Sequence, residues 1–168
     1  MEQKNEKSQI ITSCYYKKIV NGENMIIQHA FAFQISGSLV VSDGKETVVF
    51  NPGDFRLNIR NKLAKFAKQP EITEPFQSIS ISFDEELLRE FAKEHNYNSI
   101  KKVKTTPSIQ LKKHKLYASF IESLQPYLPF LNSKNDELVR HKIKEALLIL
   151  LKVQPELRNI GSSLGFSC

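Results

Sequence analysis

Only two cysteines occur in 168 residues, Cys14 and Cys168. They are too few for a disulfide framework and lack metal-ligand spacing, so a reducing cytoplasm is the expected setting. Long apolar runs are missing: the longest, Ala146 to Leu151, has six residues, against the roughly 20 that a membrane-spanning helix needs. The opening MEQKNEKSQI carries charge but no apolar stretch, so neither a secretory signal nor a membrane partner is expected. Six glycines, seven prolines, 40% hydrophobic and 25% charged residues exclude collagen-like, low-complexity and wholly disordered chains. One globular domain with a substantial core is left.

Signatures of known chemistry are also scarce. There is no Gly-x-Ser-x-Gly elbow for a nucleophile and no phosphate-cradling loop, since Gly37 and Gly44 fall in hairpins. Cys14 lies in a predicted strand, where a buried, inert thiol is expected. Lys and Arg number 24 against 18 Asp and Glu, a net charge of +6 that would favour a polyanionic partner. The densest basic stretch, Lys101, Lys102, Lys104, Lys112, Lys113 and Lys115, has no aromatic interleaved to stack on bases, so it reads as a solvated face. No helix-turn-helix, zinc finger or RNP signature is complete.

What is present divides into a β half and an α half. From Met25 to Ile35 the residues Ile27, His29, Phe31, Phe33 and Ile35 alternate with Gln28, Ala30, Ala32 and Gln34, a period of two that predicts a strand with one strongly apolar face. Asp43-Gly44 separates two apolar runs and predicts a β-hairpin. Asn51-Pro52-Gly53-Asp54 has the residues a type II turn wants. Phe55, Leu57 and Ile59 alternate with polar residues after it, and Ile79, Ile81 and Phe83 do so further on, against Ser78, Ser80 and Ser82. With Ile10–Tyr16 and Leu63–Lys68, six to eight short strands are expected, in a sandwich or barrel.

At Asp84 the period changes. Asp84 is a good N-cap, with Glu85 and Glu86 as first-turn acids that favour the helix dipole, and a helix is predicted from Glu85 to about Glu94. A basic linker, Asn96 to Thr106, leads to Pro107, acceptable in a first helical turn, and to a second helix carrying Leu116, Phe120 and Leu124. Pro126 and Pro129 end or kink it, and Asn132 to Asp136 is a polar turn. A third helix is predicted from Glu137 to Val153, because Pro155 disfavours helical geometry at Gln154. On it Val139, Ile143, Ala146 and Leu150 form a heptad seam, widened by Leu147 and Leu151. Either the helix is wedged between sheet and second helix, or one stripe packs inside the domain and the other crosses a two-fold axis.

The β half resembles a cupin barrel. Metal-binding cupins carry two histidines one residue apart, a glutamate shortly after and a further histidine beyond a Pro-Gly turn. Here His29 has Phe31 where the second ligand belongs, and no histidine occurs between His29 and His95. His29 therefore reads as a core or pocket histidine, His95, His114 and His141 as solvated ones, and neither a metal nor another cofactor is expected. The order FAFQISGSLVVSDGKE, FNPGDFRL, PFQSISISFDEELLREF and DELVRHKIKEALLILLKVQPEL resembles the N-terminal regulatory domain of AraC-family transcription factors. It is most similar to the subgroup of the type III secretion activator.

The resemblance implies an α+β fold: a degenerate cupin-like barrel over residues 1–83, then a helical segment over 84–168 whose last two helices form an antiparallel pair. It implies a domain, not an enzyme, that dimerises and receives an effector, small molecule or regulatory protein. DNA would be reached only through a C-terminal helix-turn-helix domain outside this chain, which GSSLGFSC faintly resembles. The expected ligand pocket is the barrel interior, lined by Ile27, His29, Phe31, Phe33 and Ile35 with Phe55, Leu57 and Ile59 facing them. The expected dimer interface draws on Val139, Ile143, Ala146, Leu147, Leu150 and Leu151. A stand-alone cupin-fold binding or interaction protein is the competing reading, and a cupin enzyme a weaker one.

Overall fold

A computed structural model describes residues 7–15, 18–95, 106–131 and 136–160. Tyr16, the linker as far as Thr105, Asn132 to Asn135 and GSSLGFSC lie outside the described residues.

Among the described residues nine strands precede or interleave with three α-helices: β1 (Ile10–Tyr15), β2 (Val20–Met25), β3 (His29–Ser36), β4 (Ser38–Ser42), β5 (Thr47–Phe50), β6 (Phe55–Asn58), β7 (Leu63–Gln69), β8 (Phe76–Phe83), α1 (Glu85–His95), β9 (Ser108–Leu111), α2 (Lys115–Ser123) and α3 (Glu137–Val153). Short 3-10 turns follow α2 at Gln125–Phe130 and α3 at Pro155–Ile160. All pairings are antiparallel, in a five-stranded sheet of order β1-β8-β3-β6-β9 and a four-stranded sheet of order β2-β7-β4-β5. Among the described residues no helix is long and apolar enough to cross a membrane.

Two strands escaped the sequence reading. β2 has no apolar face and is mostly exposed, so its pairing with β7 rests on backbone hydrogen bonds that leave no periodic signal. Gly22 sits opposite Phe66 in that pair, and a Cβ there would come within 2.5 Å of the tip of the Phe66 ring, so a larger residue would have to turn the ring aside. β9 follows Pro107, which does not open a helical turn as expected. Its carbonyl accepts from the Ile59 amide at 2.9 Å, and Ser108–Leu111 then pairs with β6 at the sheet edge.

Local signals elsewhere act as their chemistry dictates. In the Asn51–Asp54 turn Gly53 takes φ +93° and the Asp54 amide donates to the Asn51 carbonyl at 3.0 Å. Asp84 caps α1: its carboxylate accepts from the amides of Leu87 at 2.7 Å and Ser8 at 2.8 Å. Burial alone would raise that carboxyl, but those bonds, the Ser8 side chain and the charge of Arg140 hold it below its ordinary value. Asp136 caps α3 by accepting from the Val139 amide at 3.1 Å.

The register of β3 with β8 and β6 places Phe31 beside Ile81 and Leu57, and Phe33 beside Ile79 and Phe55, all on one face. That face looks away from the second sheet. The main core joins Phe31, Phe55, Leu57, Ile59, Ile79, Ile81 and Phe83 to Leu87, Leu88 and Phe91 of α1, Tyr117 and Phe120 of α2, and the buried face of α3. The smaller cluster between the sheets is Leu39, Val41, Phe50, Ala64 and Phe76. The helices offer more apolar area than the second sheet, so the more apolar face of the five-stranded sheet turns to them. The expectation that Phe31, Phe33, Phe55, Leu57 and Ile59 line the barrel interior is thereby corrected. Alternation identifies residues sharing a face, but not which side of the sheet the partner occupies.

The remaining expected lining residues separate. Ile27 precedes β3 and is 58% exposed, and Ile35, at a β-bulge between Gln34 and Ser36, is 40% exposed. His29 is buried, with Nδ1 accepting from the Arg60 amide at 3.1 Å. On α3, Val139, Ile143, Ala146, Leu147, Leu150 and Leu151 are all buried within their own domain, so neither stripe is left to cross a two-fold axis. Cys14 is exposed, not buried as expected, because β1 is an edge strand.

Candidate functional site

The space between the two sheets is polar on one wall. Arg56, 4% exposed, donates through Nη1 to Gln34 Oε1 at 2.9 Å, and its guanidinium carbon lies 5.5 Å from the Phe50 ring centroid. Its Nε has no hydrogen-bond partner among the described residues. Burial lowers the Arg56 pKa to about 10, which leaves it cationic at neutral pH. Gln34 is held in turn by its Nε2 donating to the carbonyls of Ser36 at 2.8 Å and Gly37 at 3.3 Å. This is a polar seam among buried side chains, hydrogen-bonded except at Arg56 Nε.

The open space is on the other face, where α2 leaves the sheet. A cleft of about 540 Å³ lies between Phe33 of β3, Gly53 of the turn, Phe55 of β6 and one side of α2, with Lys113, His114 and Lys115 at its head and Ala118, Ile121 and Glu122 along the helix. Its volume is within the range of small-molecule sites. The floor is aromatic: the Phe33 and Phe55 rings are 4.7 Å apart and tilted by 34°. The rim is cationic, with Lys113 Nζ 4.0 Å from Asp54 Oδ1 and 72% of its side chain exposed. His114 caps α2, its Nδ1 accepting from the Leu116 amide at 3.0 Å. Phe33 and Phe55 are thus the expected pocket residues that line this cleft.

The cleft's head is tied to the end of α3. Gln154 Oε1 accepts from the Lys112 amide at 3.3 Å and from the Tyr117 hydroxyl at 3.1 Å, while the Gln154 amide donates to the Leu150 carbonyl at 2.9 Å. Tyr117 is fully buried; burial, then the negative charge of Glu156, pushes its hydroxyl well above the ordinary value, so it remains a donor.

Lys113, Ala118, Ile121 and Gln154 were not among the site residues expected from the sequence. The signal for the first three was a basic string running straight into a helix with small and apolar residues on its solvent side, which composition alone assigns to a solvated face. Among the described residues no three His, Cys, Asp or Glu side chains are grouped as a metal site would need. His95 stacks on Phe91 with ring centroids 4.2 Å apart, and His141 is exposed.

The family model for the ExsA N-terminal regulatory domain matches residues 29–160. Among curated proteins none matches the chain. Among solved structures, the AraC-like transcriptional activator CuxR is similar with a TM-score of 0.59 and 13% identity, over 87% of this chain and 51% of CuxR. ToxT from Vibrio cholerae bound to (E)-4-(8-methylnaphthalen-1-yl)but-3-enoic acid is similar with a TM-score of 0.59 and 10% identity, over 97% of this chain and 61% of ToxT. ToxT bound to an unsaturated fatty acid gives a TM-score of 0.57 and 12% identity, over 92% of this chain and 57% of ToxT. The chain therefore spans between half and two thirds of the length of these proteins, and at such identity the likeness shows a shared fold.

Proposed function

The chain belongs to the family of ExsA N-terminal regulatory domains, and on that premise we propose that it receives an effector in the cleft beside α2 and passes the signal to the DNA-binding helices of an AraC-type regulator. The observation that carries this reading is the hydrogen-bonded path from the cleft's head to the end of α3. Lys112 immediately precedes the lysines and histidine of the cleft, and its amide is held by Gln154, next to the point where the chain leaves α3. An effector that displaces Lys113 or His114 moves the Lys112 backbone and with it the bond to Gln154. Solved structures of ToxT with organic acids support small-molecule reception by this fold.

Dimerisation belongs to the same proposal, through a face of α3 other than the expected one. With both buried stripes engaged in the core, Leu138 at 56% and Leu148 at 46% exposure stand on the solvent side with His141 and Lys152. A self-complementary contact there would cover them.

The path is tested by Gln154→Leu. In a fusion of the chain to the DNA-binding half of an AraC-type regulator, wild type is expected to set reporter output and the variant to shift it. The variant also strands the buried Tyr117 hydroxyl, at a cost of about 1–3 kcal/mol, so its unfolding midpoint is measured in parallel. Output identical to that of the DNA-binding half alone, from wild type and variant alike, would remove the reading.

A further inference from the structure

We propose that β1 is a docking edge that takes an extended segment of a partner protein as a further strand, the segment uncharged and β-branched in its middle and acidic at its ends. The register fixes which groups face out. The Ser82 amide donates to the Gln9 carbonyl at 2.9 Å, and Ile10 lies opposite Ile81. Gln9, Ile11 and Ser13 therefore turn their backbone groups to β8, while Ile10, Thr12 and Cys14 turn theirs outward. Among the described residues no strand pairs with that side.

Natural sheets blunt such an edge with charge, proline, a bulge or a covering element. At the other edges β2 carries Glu23, and β5 and β9 lie against each other, with β9 entered from Pro107. β1, with the sequence IITSCY, has neither charge nor proline, and its pairing with β8 runs without a bulge. Its cross-strand partners Ser80 and Ser78 place Ile11 and Ser13 on the side between the sheets, where Ile11 is left 43% exposed. A strand laid beside β1 satisfies the outward backbone groups and covers Ile11 with a side chain of its own.

Charge selects the occupant. β1 is neutral, but Lys7 precedes it and Lys18 follows it, both exposed, in a chain of net charge +6. The acids near these ends are placed otherwise. Asp84 is bonded to the Ser8 and Leu87 amides, and Glu71 and Glu74 belong to the turn before β8, one strand in from the edge. A second copy laid antiparallel across a two-fold would bring Lys7 towards the Lys18 end of its partner, like charge to like. Acidic ends on a partner segment meet a lysine at each side instead.

The test is fluorescence anisotropy of the 168-residue chain with two labelled peptides of alternating valine and threonine, one ending in aspartate pairs and the other in lysine pairs, together with amide hydrogen exchange. Wild type is expected to bind the aspartate peptide about tenfold more tightly, in line with a few exposed ion pairs, and Lys7→Glu with Lys18→Glu should reverse the preference. Binding should slow exchange at the Thr12 and Cys14 amides. Thr12→Pro should abolish binding with circular dichroism unchanged, because proline is tolerated on an edge strand where the N–H faces solvent. Equal affinity for the two peptides on wild type, a preference unmoved by the lysine reversal, no binding of the aspartate peptide at millimolar concentration, or binding that leaves Thr12 and Cys14 exchanging as before would each overturn the proposal. Protection of those amides that rises with protein concentration in the absence of peptide would overturn it as well, by giving the edge to a second copy.

Discussion

Truncating Phe31 to alanine should destabilise the domain by about 3–5 kcal/mol, the range for removing a packed aromatic ring. Phe31 is 1% exposed, and its ring lies 5.9 Å from that of Phe55, 5.3 Å from Tyr117 and 6.3 Å from Phe120. It is the point where β3, β6 and α2 meet, so little can collapse into the space. A domain has only about 5–15 kcal/mol of stability in all, and the variant should unfold at markedly lower urea with an unchanged slope. Phe33, half-buried over the cleft, should cost less when truncated, because much of its ring faces open space. A Phe31→Ala midpoint close to wild type would show that the outer face of the five-stranded sheet is not the main core.

Leu150→Glu should prevent folding, whereas Leu148→Glu should leave the fold intact. Two residues apart on α3, Leu150 is 2% exposed inside the main core and Leu148 is 46% exposed. A carboxylate at position 150 would be desolvated among the apolar side chains of Leu57, Phe83 and Leu147, which places the cost at the upper end of point-mutant effects, on the order of 4–5 kcal/mol or more. At position 148 the expected change is within about 0.5 kcal/mol, and light scattering should show loss of any dimer that uses that face. A folded Leu150→Glu chain seen by circular dichroism would contradict the placement of α3.

The local grammar of the chain was legible because each piece rests on one residue type doing one job. Asp84 caps its helix where expected, Glu137–Val153 is one helix starting after the polar turn that ends at Asp136, and the Gly53 turn has the positive φ its sequence asks for. The alternation in β3, β6 and β8 also gave the correct partition of residues between faces. What alternation does not contain is the side on which the helices lie, and for that reason the expected pocket residues became a core. β2 and β9 were hidden because one lacks an apolar face and the other follows a proline that also suits a helix start. The cleft was half legible: Phe33 and Phe55 were candidates, while Lys113 and Ala118 join them only through the packing of α2 on the sheet.

The central claim is that ligand space lies outside the barrel, in the cleft beside α2, and connects to the end of α3. Amide shift mapping of the isotope-labelled chain titrated with indole tests it most directly. The predicted result is a set of perturbations at Gly53, Lys113, Lys115 and Ala118 that extends to Lys112 and Gln154. Perturbations confined to Ala32, Arg56 and Ser80, between the two sheets, would contradict it and return the site to the barrel interior.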